Sequence, residues 1–297
     1  MKALVALVGP TASGKSELGV ELALEFGGEI ISADSRQVYK GMDLGAGKIT
    51  KQEMRGVPHH LLDVASPKRK FTVAQYQKLA LKAIAGIQKR GKLPLLVGGS
   101  PLYVYAVTDG IFFPEVKPDP KLRKELEQYS AEELYEKLQK LDPARAATIE
   151  RKNPRRLVRA LEIVIKTRQP VPSFQKSSLC YPVFFLGIKR SKEELSLRIG
   201  KRLQKRLKQG MLKEIQKLHD DHISWERLED FGLEYRFGAL FLQGKISKQE
   251  MTERIQKGSE NLIRHQMTWF KRDSRIHWIS SLREARRLIS LFLTEEL

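Results

Sequence analysis

The chain has 297 residues, 41% of them hydrophobic, enough for one large domain or a domain carrying an inserted lobe. Its single cysteine, Cys180, excludes an internal disulfide and a cysteine-built zinc site, and suits a reducing cytoplasm. The formal charge is +19, and 14 of those net charges fall between Arg145 and Ile215, a field suited to a polyanion larger than a nucleotide; a solvated lysine-rich surface is the plain alternative.

The opening "MKALVALVGP" is a short apolar run ending at a glycine turn, and no cleavage-type segment follows, so no secretory leader is expected. No run approaches the roughly 20 apolar residues of a membrane span, so no membrane association is expected. "ALVALV" predicts a buried strand, and "SELGVELALEF" a helix with Leu18, Leu22 and Phe26 on one face. "EIISADS" predicts a second strand, "HLLDV" a short third, "TVAQYQKLALKAIAGIQKRGK" a helix and "LPLLVGG" a fourth strand. This alternation implies a parallel sheet whose ligands bind beyond the carboxyl ends of its strands.

After the proline-rich "FFPEVKPDP" the pattern turns helical. "SAEELYEKLQKL" opens with a capping box, Ser130 and Glu133. "NPRRLVRALEIVIKTR" opens with Asn153 as cap and Pro154 at the first helical position. "YPVFFLGIKR" predicts a strand that rejoins the sheet. "KEELSLRIGKRLQKRLKQGMLKEIQKLH" reads as one long helix with Leu195, Ile199, Leu203 and Leu207 as its apolar stripe. The last third is helical, with a strand at "RIHWIS".

Between the first strand and first helix lies "GPTASGKS", Gly9, Pro10, Thr11, Ala12, Ser13, Gly14, Lys15 and Ser16. This is the phosphate-cradling pattern: glycines let backbone amides converge on phosphate oxygens, and the helix adds its positive end. Lys15 is placed to reach phosphate as a point charge and Ser16 to put its hydroxyl on Mg²⁺. The motif does not say what the phosphates are attached to. The strand "LPLLVGGS" ends without the carboxylate that a motor ATPase or switch GTPase uses for Mg²⁺, which leaves a small-molecule kinase or another diphosphate-using transferase.

Acids at strand ends are confined to Asp34 and Asp63. Asp34 can steady Mg²⁺ through water, cap a turn or accept a proton as general base, and position alone leaves these roles open. "GGSPLY" leaves its strand on glycines, with Ser100 as a donor for a closely approaching substrate. Arg155, Arg156 and Arg159 cluster at one helix start; Arg198, Arg202 and Arg206 recur every four residues. Such ladders clamp diphosphate or follow a nucleic-acid backbone, and only Glu193, Glu194 and Glu214 lie between Lys189 and Ile215 to neutralise the second one. Tyr103, Tyr105, Trp269 and Phe270 are candidates for base stacking, though core roles are commoner. The adjacent His59 and His60 share no face and suit hydrogen bonding better than metal binding.

Together, "GPTASGKS", "SADSRQVYKGMDLG", "VPHHLLDV", "LPLLVGGSPLY", "NPRRLVRALEI" and "HQMTWFKRD" resemble the tRNA dimethylallyltransferases, also called tRNA isopentenyltransferases, over nearly the whole chain and in order. The resemblance implies an α/β fold, a parallel-sheet core like that of the P-loop nucleoside triphosphate hydrolases, with an inserted, mainly helical lobe. It places the core at 1–117 and 181–297 and the tRNA-binding insertion at 118–180, with helices after 190 assignable to either. It implies transfer of a dimethylallyl group from dimethylallyl diphosphate to N6 of the adenine 3′-adjacent to the anticodon, with Mg²⁺ as cofactor and the tRNA anticodon stem-loop as partner. The enzyme is expected to be cytoplasmic and monomeric. A kinase or a free-adenylate prenyltransferase shares the loop, but neither needs a basic lobe.

By the same resemblance Asp34 matches the general base, and residues 9–16 the diphosphate cradle. Thr11, Lys15 and Ser16 match diphosphate and metal contacts. Arg198 matches the arginine at the diphosphate, with Arg202 as the alternative. Asp34, Ser35, Arg36, Gln37, Ser100, Arg123, Arg155, Arg156, Leu157, Val158 and Arg159 match positions facing tRNA or its target base. Several segments depart from the usual pattern. "GGSPLY" stands for GGTGLY, "GAGKIT" for a GTAKPT-like segment, His265 for an arginine and "FGLEYR" for a G-Y-[KR]-E-like stretch. No C-terminal zinc finger of the eukaryotic kind is expected, and the departures look like a bacterial subgroup.

Overall fold

The computed structural model describes residues 3–114, 116–172, 179 and 181–295; Cys180, on which the redox argument rested, lies outside them. In chain order the elements are β1 (Leu4–Val8), α1 (Lys15–Glu25), β2 (Gly28–Ser32), α2 (Lys51–Met54), β3 (His59–His60), α3 (Val73–Lys89), β4 (Leu93–Gly98) and α4 (Pro101–Thr108). Next come α5 (Pro120–Leu126), α6 (Ala131–Leu141), α7 (Pro143–Ala146), α8 (Pro154–Thr167), β5 (Val183–Ile188), α9 (Lys192–Lys208), α10 (Met211–Asp220) and α11 (Trp225–Glu229). The chain closes with α12 (Leu233–Leu242), α13 (Lys248–Phe270), β6 (Ile276–Ile279) and α14 (Leu282–Glu295). The chain divides into two units, Met1–Thr108 with Leu179–Leu297, and Asp109–Ser178.

In the first unit six strands form one sheet in the order β3-β2-β4-β1-β5-β6, every pair parallel. β1 sits at its centre, with Val5 opposite Leu95 on one side and Phe184 on the other. All five β1 residues are buried, as a parallel strand covered on both faces requires. Leu22 of α1 is fully buried on the sheet, and Leu18 and Phe26 pack beside it, so the expected face is the buried one. Each such leucine contributes roughly 1.5–3 kcal/mol of transfer free energy. Because all strands run one way, the chain leaves β1, β2, β4 and β5 at the same edge of the sheet.

Two elements differ from expectation. The third strand stops at His60 because Leu61 and Asp63 both take positive φ, 65° and 57°, which breaks the extended run. The long helix is two helices, α9 and α10, because Gly210 has φ 102° and cannot continue α9. Among the described residues no helix is long and apolar enough to cross a membrane.

The second unit has its own core of Leu126, Leu134, Leu138, Leu157 and Leu161. Its helices begin as their sequence dictates: Ser130 and Glu133 form a reciprocal capping box, and Asn153 caps α8 ahead of Pro154.

Candidate active site

The loop after β1 winds through φ 150° at Gly9, 63° at Ala12 and 91° at Gly14. A left-handed turn at Ala12 is uncommon for a residue with a Cβ. It turns successive amides inward, the geometry of an anion-binding nest. Gly14 is the N-cap of α1 and supplies no side-chain acceptor, so the first amides of that helix are left without a side-chain cap. The Lys15 ammonium donates to Pro10 O at 2.6 Å and to Ser13 Oγ at 3.4 Å, folded over the loop it belongs to.

Cations gather on this loop. Arg202 Nη2 donates to Thr11 Oγ1 at 3.0 Å. Arg190, just beyond β5, donates from Nε to Ser13 O at 3.5 Å. Arg198 Nη1 lies 3.7 Å from where a Cβ on Gly14 would sit, while Glu194 holds its Nε at 3.0 Å. Both arginines named from the sequence therefore reach the loop, and Arg202 is the one hydrogen-bonded to it. Lys15 keeps some exposed surface, but the protein around its ammonium pushes its pKa down to about 8, against the pull of Asp34 and with the push of Arg202. Burial also lowers Arg202, to about 10, and Arg206 adds to the effect. Lys15 and Arg202 are thus held close together with too little protein counter-charge, an arrangement that favours an incoming polyanion.

Asp34 follows β2 and is half-buried. Its Oδ1 accepts from Arg36 N at 2.8 Å, so the carboxylate caps its own turn through Arg36. Among the described residues no hydrogen bond reaches Oδ2. Ser35 N donates to Ser100 Oγ at 3.1 Å, joining the exits of β2 and β4. Gln37 is clasped at both ends of its amide: Ser32 Oγ donates to Oε1 at 2.9 Å, and Nε2 donates to Gly47 O at 3.1 Å. Tyr76 and Tyr103 stack at 3.9 Å between centroids, and burial raises both phenols, keeping them neutral beside Asp34. Tyr105 and Phe270 are buried; Trp269 remains 48% exposed.

Other expectations resolve into structure. His59 Nδ1 donates to Val57 O at 2.8 Å, and His60 Nε2 bonds Glu29 at 2.7 Å. Asp63 pairs with Lys48 at 2.7 Å. Arg206 does not join the phosphate cluster: it is buried against Glu234 at 3.1 Å, a partner that lies beyond the 189–215 stretch.

In the second unit the carboxylate of Glu162 has no exposed surface and accepts from Arg123 at 2.7 and 2.8 Å and from Arg159 at 2.5 Å. Although burial works the other way, these bonds and that of Asp119 N hold Glu162 down at about 2. Leu157 and Val158, expected at RNA, point into the core because they lie on the apolar stripe of α8. Arg155 and Arg156 are exposed, Arg156 pairing with Glu150 at 3.1 Å.

One contact escaped the sequence. Gln266, buried on α13, accepts from Thr11 N at 2.8 Å and donates to Gly99 O at 2.7 Å, bridging the loops after β1 and β4. Its signal was its place: Ile255, Ser259, Ile263, Gln266 and Phe270 share one buried stripe, so a glutamine there is a polar residue on an apolar face.

The model of the IPP transferase family matches residues 37–273. The tRNA dimethylallyltransferase of Thermomicrobium roseum is 39% identical over 282 residues, 93% of this chain and 86% of that protein. The tRNA dimethylallyltransferase 1 of Geotalea uraniireducens is 41% identical over 298 residues, 97% of each. Among solved structures, the tRNA isopentenylpyrophosphate transferase of Bacillus halodurans matches with a TM-score of 0.75 and 35% identity over 99% of this chain and 98% of that one. A eukaryotic dimethylallyltransferase described as acting on tRNA matches with a TM-score of 0.81 and 25% identity, covering 99% of this chain and 80% of that one. A phosphate loop ringed by arginines, an acid at the next strand end and a match spanning most of the sequence converge: this chain belongs to the IPP transferase family.

Proposed function

We propose that the protein transfers the dimethylallyl group of dimethylallyl diphosphate to N6 of the adenine 3′-adjacent to the anticodon in tRNA, releasing diphosphate. Relatives named tRNA dimethylallyltransferase support the reaction class. The observation that carries the reading in this chain is the crowd of Lys15, Arg198 and Arg202 on an uncapped loop, with Asp34 at the neighbouring strand end.

In this reading the diphosphate lies on residues 9–16, and Lys15, Arg202 and Arg198 stabilise the charge that grows on it as the allylic C–O bond breaks. The adenine amine forms the new N–C bond and gives a proton to Asp34. Arg36 N fixes the direction of that carboxylate through Oδ1, leaving Oδ2 for the amine. General-base help of this kind contributes about 10²- to 10⁴-fold in rate. The base must leave its stack to reach the acid, at a cost of a few kcal/mol that an anticodon loop keeps low. Phosphate contacts from the exposed Arg155 and Arg156 would make tRNA binding salt-dependent.

Magnesium belongs to the same reading. Among the described residues no three His, Cys, Asp or Glu side chains gather at one point, so a cage built from protein alone is absent there. That donor set fits an ion carried mainly by water and phosphate oxygens, as magnesium commonly is. The exposed Ser16 hydroxyl, with Asp34 through water, would hold it. Bound there, it supplies counter-charge to the departing diphosphate. One chain contains every residue invoked, so a monomer suffices.

The test is incubation with labelled dimethylallyl diphosphate, magnesium and unmodified tRNA. Label should appear on tRNA, and ATP should neither replace the donor nor be consumed. ATP consumption without labelled tRNA would reduce the protein to a kinase.

A further inference from the structure

Arg198, Arg202 and Arg206 look equivalent on α9, yet only the first two reach the phosphate loop. Arg206 turns instead toward the segment 43–47. Its Nη1 lies 3.1 Å from Glu234 Oε1 and 3.5 Å from Gly45 O. Its Nη2 stands 1.7 Å from where a Cβ on residue 47 would be, and Gly47 has φ 62°, so only glycine fits beneath the guanidinium. The rest of that segment is also gripped. Glu214 accepts from the amides of Asp43, Leu44 and Gly45 at 3.0, 2.7 and 3.0 Å. Ala46 N donates to the Tyr235 hydroxyl at 3.2 Å, and that hydroxyl donates to Glu214 at 2.8 Å.

The clamped segment ends at the Gly47 carbonyl, and this carbonyl accepts from Gln37 Nε2. A carbonyl only accepts, so the contact decides which way the Gln37 amide faces. Gly47 lies in "GAGKIT" and Glu234 with Tyr235 in "FGLEYR", two of the segments that depart from the family's usual pattern. Arg206 joins them, so the two departures form one coupled arrangement.

We propose that Arg206, seated on Gly47 and neutralised by Glu234, is a positioning residue that aims Gln37 at the acceptor base through the 43–47 segment. The inference rests on the tRNA-prenylating reading above and on the family resemblance, which puts Gln37 among the positions facing tRNA or its target base. Its test is a double-mutant cycle on the full chain, following transfer from labelled dimethylallyl diphosphate to an anticodon stem-loop. Arg206→Met with Glu234→Gln removes the pair without leaving a lone buried charge. The expected result is a fall in kcat of about tenfold, with KM for the donor within twofold and an unchanged melting temperature. Adding Gln37→Leu to that variant should cost little more, although Gln37→Leu alone costs at least as much as the Arg206–Glu234 change. Fully additive losses, or wild-type kcat in the folded Arg206 variant, overturn the proposal. Should that variant fail to fold, Arg206→Lys carries the same cycle with the same two outcomes. Failure of the underlying reading looks different: the unaltered protein would then label no stem-loop at all.

Discussion

Arg202 beside the phosphate loop and Arg123 in the 109–178 unit are both partly buried arginines, yet their surroundings differ in sign. Arg202 shares its space with Lys15, and burial, with a smaller push from Arg206, brings its pKa down to about 10. Arg123 shares a buried carboxylate with Arg159, and its pKa is pushed up by that partner. The first set stores unfavourable like-charge proximity that an outside anion relieves. The second set already holds a carboxylate between its two guanidiniums and works as framework. Cation density along a sequence does not distinguish these cases; the position of the carboxylates does.

Removing the Lys15 charge should have the largest effect. Lys15→Met is expected to weaken inorganic diphosphate by about 100-fold or more in calorimetry, because a charge-assisted contact in a desolvated site disappears. It should not lower the melting temperature at pH 7, since burial opposes that charge in the folded protein. The wild-type pH dependence follows. With its folded pKa near 8, Lys15 is increasingly neutral above that pH, and bound diphosphate restores the proton. The Lys15 contribution to diphosphate affinity should be full below pH 8 and fall about tenfold per unit above it, until the pKa in the complex is reached. Lys15→Met keeps the ligand's own titration, so the difference between the two pH profiles isolates that contribution.

The balanced set should respond in the opposite manner. Glu162→Gln leaves Arg123 and Arg159 without their counter-charge and is expected to cost about 3 kcal/mol in urea unfolding, with donor binding unchanged. Because Glu162 is held at about 2, its contribution is present above the ordinary carboxylate range near 4.5 and is lost as pH falls toward 2. The acid sensitivity of unfolding in that window should shrink in the variant. A destabilised Lys15→Met or an indifferent Glu162→Gln would erase the distinction between the two regions.

The smallest effect belongs to the exposed arginines. Arg155→Ala with Arg156→Ala should reduce the slope of log affinity for tRNA against log salt by about 1 to 2, with the melting temperature unchanged. Arg159 is left out of this pair because Glu162 claims it.

Local chemistry made much of the fold legible. The capping box at Ser130, the cap at Asn153 and the four-residue spacing of Leu18, Leu22 and Phe26 depend on neighbours in the chain. The break at Gly210 was masked because the apolar period runs on through it. The burial of Leu157 and Val158 is readable from the apolar stripe they share with Leu161 and Val164, which outweighs their place in the motif. The candidate site was legible where strand ends carry it, at residues 9–16, Asp34 and Ser100. It was not legible where distant segments supply partners: Glu234 for Arg206, Gly47 for Gln37 and α13 for the loop itself.

Gln266 carries a consequence of that last kind. A planar amide with one accepting and one donating end sets the gap between the outlets of β1 and β4 at a single side-chain width. Leucine there would orphan Thr11 N–H and Gly99 C=O together, and glutamate would face a carbonyl with an acceptor. The spacing of this sheet edge is therefore inherited from a helix far downstream of both loops. A chain shortened ahead of α13 would keep the whole GPTASGKS sequence and still lack the ruler that sets it to working distance.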